Sequence, residues 1–150
     1  LIEITAKGGN LLLNIAPDAT GQIPERVYQR LDEIGDWLNI NGESIYDCQP
    51  QFPYRNGRVC FTRRDGNRLY AIYLAETGEM APPPMLAIDT ADLNGTAPAP
   101  DSALTGIRLL GWEGRLVWSI NHGRIEIQLP DIFLSDPPCR HAWSIELLGL

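Results

Sequence analysis

One hundred and fifty residues, 44% hydrophobic and 21% charged, make a chain too apolar to be disordered and of a size for one ordinary domain. A formal net charge of −7 and a pI near 4.7 exclude a nucleic-acid binder, which needs a clustered basic face. No stretch reaches the ~18 apolar residues of a membrane span, and no partner membrane is expected. Cys48, Cys60 and Cys139 show no CxxC or Cys/His metal spacing. Being odd in number, they leave at least one thiol unpaired within the chain, and they read as small buried fillers.

Leu1 to Lys7 reads as the last turns of a helix, so the natural N-terminus is expected to lie further upstream. Lys7 suits the negative helix end, and Gly8 or Gly9 supplies a left-handed terminating residue. Asn10 to Ile15 is nearly all apolar, with no alternation. That is the pattern of a strand covered on both faces, in the middle of a parallel sheet. A parallel strand needs parallel neighbours joined by long crossovers, and no second such strand follows. The segment is therefore expected to be the last piece of a larger α/β domain. Pro17 stops it, and Asp18 to Gly21 is a polar loop. Pro24 then sets the first turn of a helix, with Glu25 near its positive end. Val27, Leu31, Ile34 and Leu38 form one apolar stripe, and Asn41-Gly42 is the expected stop.

After Gly42 the character changes. Pro50 to Gly57 is turn-rich and is taken as the likeliest domain boundary. Val59 to Arg63 and Leu69 to Leu74 are predicted strands flanking Arg64-Asp65-Gly66-Asn67, whose Asp-Gly is a hairpin signal. The basic run Arg63-Arg64 with Arg68 at this tip reads as a solvated turn rather than a phosphate site. Glu76 to Pro84 is a turn and a proline run, Met85 to Ile88 a short strand, and Thr90 to Ser102 a surface loop. Ile107 to Leu110, Leu116 to Ile120 and Arg124 to Leu129 are further strands. Ile125, Ile127 and Leu129 alternate with polar residues, as do Trp143, Ile145 and Leu147 with Ser144 and Glu146; both patterns predict one buried and one wet face. Seven or eight short strands of this kind predict an antiparallel β-sandwich.

Two motifs carry a resemblance. KGGNLLLNIAPDATGQIP, from Lys7, continues through RLDEIGDWLNINGESIY to Tyr46. It resembles the closing strand and helix of the α-L-fucosidases of glycoside hydrolase family 29, which read KGGNLLLNIGPxxDGxIP and then GxWLxxNGExIY. Ala16 departs from the family's usual glycine. A looser similarity follows at Leu109-Leu110-Gly111, Trp118, and Gly123 to Pro130, resembling the family's C-terminal LLG…W…GLxIxLP. The resemblance implies the last strand and helix of a (β/α)8-like barrel over residues 1–42, and a β-sandwich over residues 43–150. It implies a retaining hydrolase of terminal α-L-fucose on glycoconjugates, with a fucosylated glycan as substrate and no cofactor or metal. The sandwich would brace a barrel portion of the same protein that lies outside this sequence. An extracytoplasmic setting (periplasmic, secreted or lysosomal) is implied as well.

Retaining glycosidases need two carboxyl groups about 5–5.5 Å apart. The family's nucleophile and acid/base come from earlier barrel segments, so no catalytic residue is expected here and the 150 residues alone should be inactive. Asp18 lies just past the C-terminal end of the predicted barrel strand, where barrel active sites form, but matches no catalytic position and reads as a loop residue. Asn14, polar at the end of the apolar strand on the same side, is the one candidate substrate-binding residue. It would orient a sugar-binding neighbour, or else satisfy backbone groups at the barrel mouth. His122 reads as a turn residue, and Cys139 with His141 is too sparse for a zinc site. Trp118 and Trp143 fall on apolar faces and read as core. Trp112, beside the Glu113-Gly114 turn, is the best candidate for an exposed sugar platform, set against a packing role. The competing readings are a carbohydrate-binding sandwich module and a structural domain of an inactive homologue.

Overall fold

The computed structural model describes residues 1–65, 67–89, 93 and 104–150. A short helix, α1 (Ile2–Ala6), opens the chain, and a long one, α2 (Glu25–Asn41), follows after an irregular segment. A 3-10 turn, Gly42–Ser44, leads into eight strands. They are β1 (Gln49–Asn56), β2 (Val59–Arg64), β3 (Arg68–Leu74), β4 (Met85–Asp89), β5 (Gly106–Leu109), β6 (Val117–Asn121), β7 (Arg124–Gln128) and β8 (Ala142–Leu148). One further helical turn, α3 (Asp131–Ser135), lies between β7 and β8. All strand pairs are antiparallel. They form a five-stranded sheet, β1-β2-β3-β8-β5, and a three-stranded sheet, β4-β7-β6. The predicted loop at Thr90 to Ser102 and the Gly66 position of the β2–β3 turn lie outside the described residues.

The apolar core sits between the sheets. Phe61, Ala71, Ile145 and Leu109 stand side by side across β2, β3, β8 and β5, and all four are buried. Ile125 and Ile127 of β7, with Leu86 and Ile88 of β4, supply the opposing layer. Arg124 and Gln128 remain exposed, so the wet face expected for this strand is present. Trp143 is buried as expected, whereas Trp118 is only half-buried at the core's edge.

β8 departs from the one-wet-face expectation. Ser144 and Glu146, predicted to face water, are buried along with Trp143, Ile145 and Leu147. The reason is topological: β8 is an inner strand, and its second face is covered by the C-terminal end of α2 and the 3-10 turn. Trp37 Nε1 donates to the Ala142 carbonyl at 2.8 Å, and the Ser44 and Ser144 hydroxyls lie 3.0 Å apart. Buried polar groups need partners, and here the partners come from the helix.

The passage from Pro50 to Gly57 is a strand rather than a turn-rich boundary. β1 tolerates Pro50 and Pro53 because it is the edge strand, where a missing N–H leaves no ladder bond unmade. Its register shifts between Pro50 and Arg55, which absorbs the irregularity that the prolines announce. The helix does not stop at a left-handed Gly42. That residue keeps a right-handed φ of −57° and passes the chain into the 3-10 turn. Gly8 does take the left-handed conformation, at φ 78°, and α1 ends there as expected.

The largest difference concerns Asn10 to Ile15, which forms no strand. A parallel strand exists only as part of a ladder, and no partner strand is present for it among the described residues. Its side chains lie open instead: Leu12 is 83% and Leu13 52% exposed, with Leu11 and Ile15 also exposed. At roughly 1.5–3 kcal/mol per fully buried side chain, burying these four would be worth about 6–12 kcal/mol. Amide exchange at Leu11 to Ile15 should therefore be fast in a monomer of this chain, while Ile125 to Leu129 exchange slowly. Equal protection of the two segments would refute the orphan-strand account.

Candidate functional site

The candidate substrate-binding residue, Asn14, lies in the stretch from Gly8 to Gln22, in front of α2. Asn14 is exposed and makes no hydrogen bond to the described residues. It lines a cleft of about 390 Å³ with Leu13, Ile15, Arg26, Val27 and Leu31. The cleft lies between the open segment and the N-terminal half of α2. Val27, Leu31 and Ile34 of the apolar stripe are only half-buried there, so helix and segment together present an apolar surface.

The loop that follows is held by one carboxylate. Asp18 Oδ1 accepts the Thr20 hydroxyl at 2.6 Å and the Thr20 and Gln22 amides at 2.8 and 3.0 Å. The Thr20 hydroxyl, and then the Gln22 and Thr20 amides, hold the Asp18 carboxyl below its usual range. Gly21 closes the turn with a φ of 84°. An aspartate so engaged is a loop-forming residue, as expected.

Two other places bring carboxyl groups together. Glu43 and Glu146 both accept from Arg108, at 2.6 and 2.8 Å. Glu76 and Glu79 both pair with Arg58, whose guanidinium also sits over the Tyr73 ring at 4.5 Å. Each pair is taken up by its arginine, and Glu146 is also sealed from solvent. Both clusters are structural ties. The first joins the 3-10 turn to β5 and β8, and the second fastens the loop after β3.

The basic run at the β2–β3 tip is not simply solvated. Arg63 donates to Gln51 Oε1 at 2.7 Å and to the Leu150 carbonyl at 2.5 Å, and burial pulls its pKa down. Arg64 lies 3.5 Å from Asp47, and Arg68 lies 3.9 Å from Glu146. These arginines stitch strand ends to neighbouring segments, which alternation alone could not reveal. His122 occupies the β6–β7 turn with φ 49°. His141 Nε2 lies 3.5 Å from Glu33 of α2, and no group of three or more His, Cys, Asp or Glu residues suited to a metal occurs among the described residues. All three cysteines are free; Cys60 and Cys139 are buried and Cys48 is half-buried.

Trp112 is not an exposed platform. It is half-buried, edge-on to Phe133 of α3 with ring centroids 6.3 Å apart. Its Nε1 is buried against Gly114, where an added Cβ would come within 2.4 Å. The ring packs α3 onto the sandwich. The α3 turn itself was missed, although Pro130-Asp131 before Ile132 and Phe133 is a helix-start signal.

With this geometry in place, the likeness to known proteins can be read. A family model described as alpha-L-fucosidase matches residues 1–43. Human tissue alpha-L-fucosidase is 35% identical over 156 aligned positions, covering 100% of this chain and 30% of that protein. Among solved structures, alpha-L-fucosidase isoenzyme 1 from Paenibacillus thiaminolyticus has a TM-score of 0.72 and 27% identity, over 98% of this chain and 32% of that one. Thermotoga maritima alpha-fucosidase in complex with fucose gives 0.71 and 25%, over 98% and 32%. The likeness is to the C-terminal portion of a glycoside hydrolase. The chain corresponds to the C-terminal part of α-L-fucosidases, the resemblance that the Lys7 to Tyr46 motif carried, and it spans about a third of their length.

The polar seam behind β8 makes a further expectation measurable. Tyr70, fully buried beside Glu146 at 3.4 Å, has its pKa pushed up to about 12, by burial first and by the Glu146 charge second. The folded value lies above that of unfolded tyrosine, about 10. The neutral phenol's contribution is therefore complete below pH 10 and is lost as pH rises towards 12. Tyr70 should ionise well above the ordinary tyrosine value, read from the difference in absorbance titration between the parent chain and Tyr70→Phe at alkaline pH. Tyr70→Phe should weaken the alkaline loss of stability by about 1–3 kcal/mol. An early ionisation of all five tyrosines while the fold persists would contradict this.

Proposed function

We propose that this chain is the C-terminal part of a retaining α-L-fucosidase that releases terminal α-L-fucose from glycoconjugates. In this reading residues 1–42 supply the last strand and helix of the catalytic (β/α)8-like barrel, and residues 43–150 form the sandwich that braces it. The observation that carries the reading is the joining of an open apolar segment, Leu11 to Ile15, to an antiparallel sandwich within a chain similar throughout to α-L-fucosidases. The fucose held by the Thermotoga relative supports the substrate class. Asn14 would stand at the barrel mouth, orienting a neighbour that touches the sugar. The two catalytic carboxyls would come from the barrel strands that precede this sequence. They would work by nucleophilic attack and acid/base proton transfer.

The complete protein should hydrolyse an aryl α-L-fucoside with retention at the anomeric carbon, observed by NMR of the first-formed product. Inversion, or no turnover by a folded complete protein, would sink the reading. The purified 150-residue chain should not turn over the same substrate, and activity surviving rigorous purification would mean that a catalytic pair lies within it. In calorimetric titration the chain should also show no saturable binding of fucose or fucosylated oligosaccharides. Binding that is lost in Trp112→Ala would instead support a carbohydrate-binding module.

A further inference from the structure

Every residue from Lys7 to Asp36 is described, and none is buried. On either side of this excursion the chain is gripped by the same sheet. Before it, Ala6 is fully buried, and α1 packs against β1 and β2. Glu3 pairs with Arg55, the Lys7 ammonium lies 5.0 Å from the Tyr54 ring centroid, and Gly8 passes so near Pro50 that an added Cβ would sit 3.0 Å from its Cγ.

After the excursion the grip is polar and buried. Trp37 bonds the Ala142 carbonyl. Asn41, with no exposed surface, donates from Nδ2 to the Trp37 carbonyl and the Cys139 sulfur, at 3.2 and 3.3 Å. Its Oδ1 accepts the Ser144 amide at 3.3 Å. Ser44 donates to the Asn41 carbonyl at 2.7 Å, while its own carbonyl accepts the Thr62 hydroxyl at 2.7 Å. Gly111 is pressed against Ile40, where an added Cβ would lie 2.9 Å from Cγ2. In contrast, the N-terminal half of α2 is tied to the sandwich by the Glu33–His141 contact, between side chains 49% and 59% exposed. An exposed contact of that kind contributes little.

We infer that the five-stranded sheet is a two-point mount: it holds α1 and the Trp37–Ser44 end of α2, and so presents the strand-forming segment between them at a fixed place. The cooperative folding unit then consists of α1, Trp37 to Ser44 and the sandwich, and its boundary falls inside α2 rather than at its end. The occupant of the presented surface is the rest of the barrel of the same protein. It fits because the chain covers only 30% of its human relative's length and because Leu11, Leu12 and Leu13 lie open at the mount. Only this identity of the occupant rests on the α-L-fucosidase reading; the mount itself does not. Asn41 is in this scheme a positioning residue, two helical turns or more from the cleft at Val27 and Leu31.

Hydrogen exchange on the 150-residue chain tests the mount. Amides of Leu38 to Asn41 should be as protected as those of Ile145 to Leu147, and amides of Val27 to Leu31 much less so. Asn41→Ala should speed exchange at Leu38 to Asn41 by about tenfold or more, with little change at Ile125 to Leu129. Should that variant fail to fold, replacing residues 10–31 by a Gly/Ser chain of equal length decides the matter. Cooperative melting with protected Leu38 to Asn41 upholds the mount; loss of the sandwich overturns it. Uniform protection along the whole of α2 in the parent chain would overturn it too. None of these outcomes depends on fucoside turnover, so failure of the mount and failure of the proposed function remain separable.

Discussion

The structure depends on β8 having two buried faces. Its odd-numbered side chains, Trp143, Ile145 and Leu147, close the apolar core between the sheets. Its even-numbered ones, Ser144 and Glu146, are sealed beneath the end of α2 and the 3-10 turn. A buried serine and a buried glutamate are tolerable only when fully partnered. Asn41 and Ser44 partner the first, and Arg108, with Tyr70 beside it, the second. Helix and sheet are thus held by hydrogen bonds of definite geometry, where an apolar contact would allow sliding. Removing one partner would leave the other buried and unpaired, which is the expensive outcome for such groups.

The same arrangement explains why two parts of the chain differ so sharply. The sandwich satisfies its own backbone: inner strands have neighbours on both sides, and β1 is an edge that its prolines suit. The stretch from Asn10 to Ile15 can do neither. Its apolar residues are suited to two covered faces, and its amides to parallel neighbours. Neither is supplied among the described residues, whose ladders are all antiparallel. About 6–12 kcal/mol of potential burial is left unrealised at four side chains, comparable with the 5–15 kcal/mol that holds a domain together.

Local charge is taken up in fastening. Arg108 binds both Glu43 and Glu146, and Arg58 binds both Glu76 and Glu79. Such pairs fasten strands and loops. Asp18 is likewise engaged by its own turn. These carboxyls work as fasteners.

By itself the sequence determined those elements whose signals were local. Two-residue alternation marked β7, the Lys7 to Gly9 stop marked the end of α1, and the apolar stripe marked α2. The long KGGNLLLNIAP motif, continued through the helix, carried the family. The unalternating apolar run over Asn10 to Ile15 predicted a strand covered on both sides, and the structure shows an open segment there instead. What cover a segment receives is not local, and only the tertiary structure decided it. Alternation could not say that the polar face of β8 would lie under a helix, since Ser144 and Glu146 look the same beneath Asn41 as beneath water. Prolines at 50 and 53 read as turns until the sheet order made β1 an edge. Trp112 beside its turn left a platform and a packing role both open, and α3 set Phe133 against it, which is the packing role. In each case the residue's own chemistry was legible, and the missing quantity was which distant segment would lie against it, a property of long-range packing that no window of sequence contains.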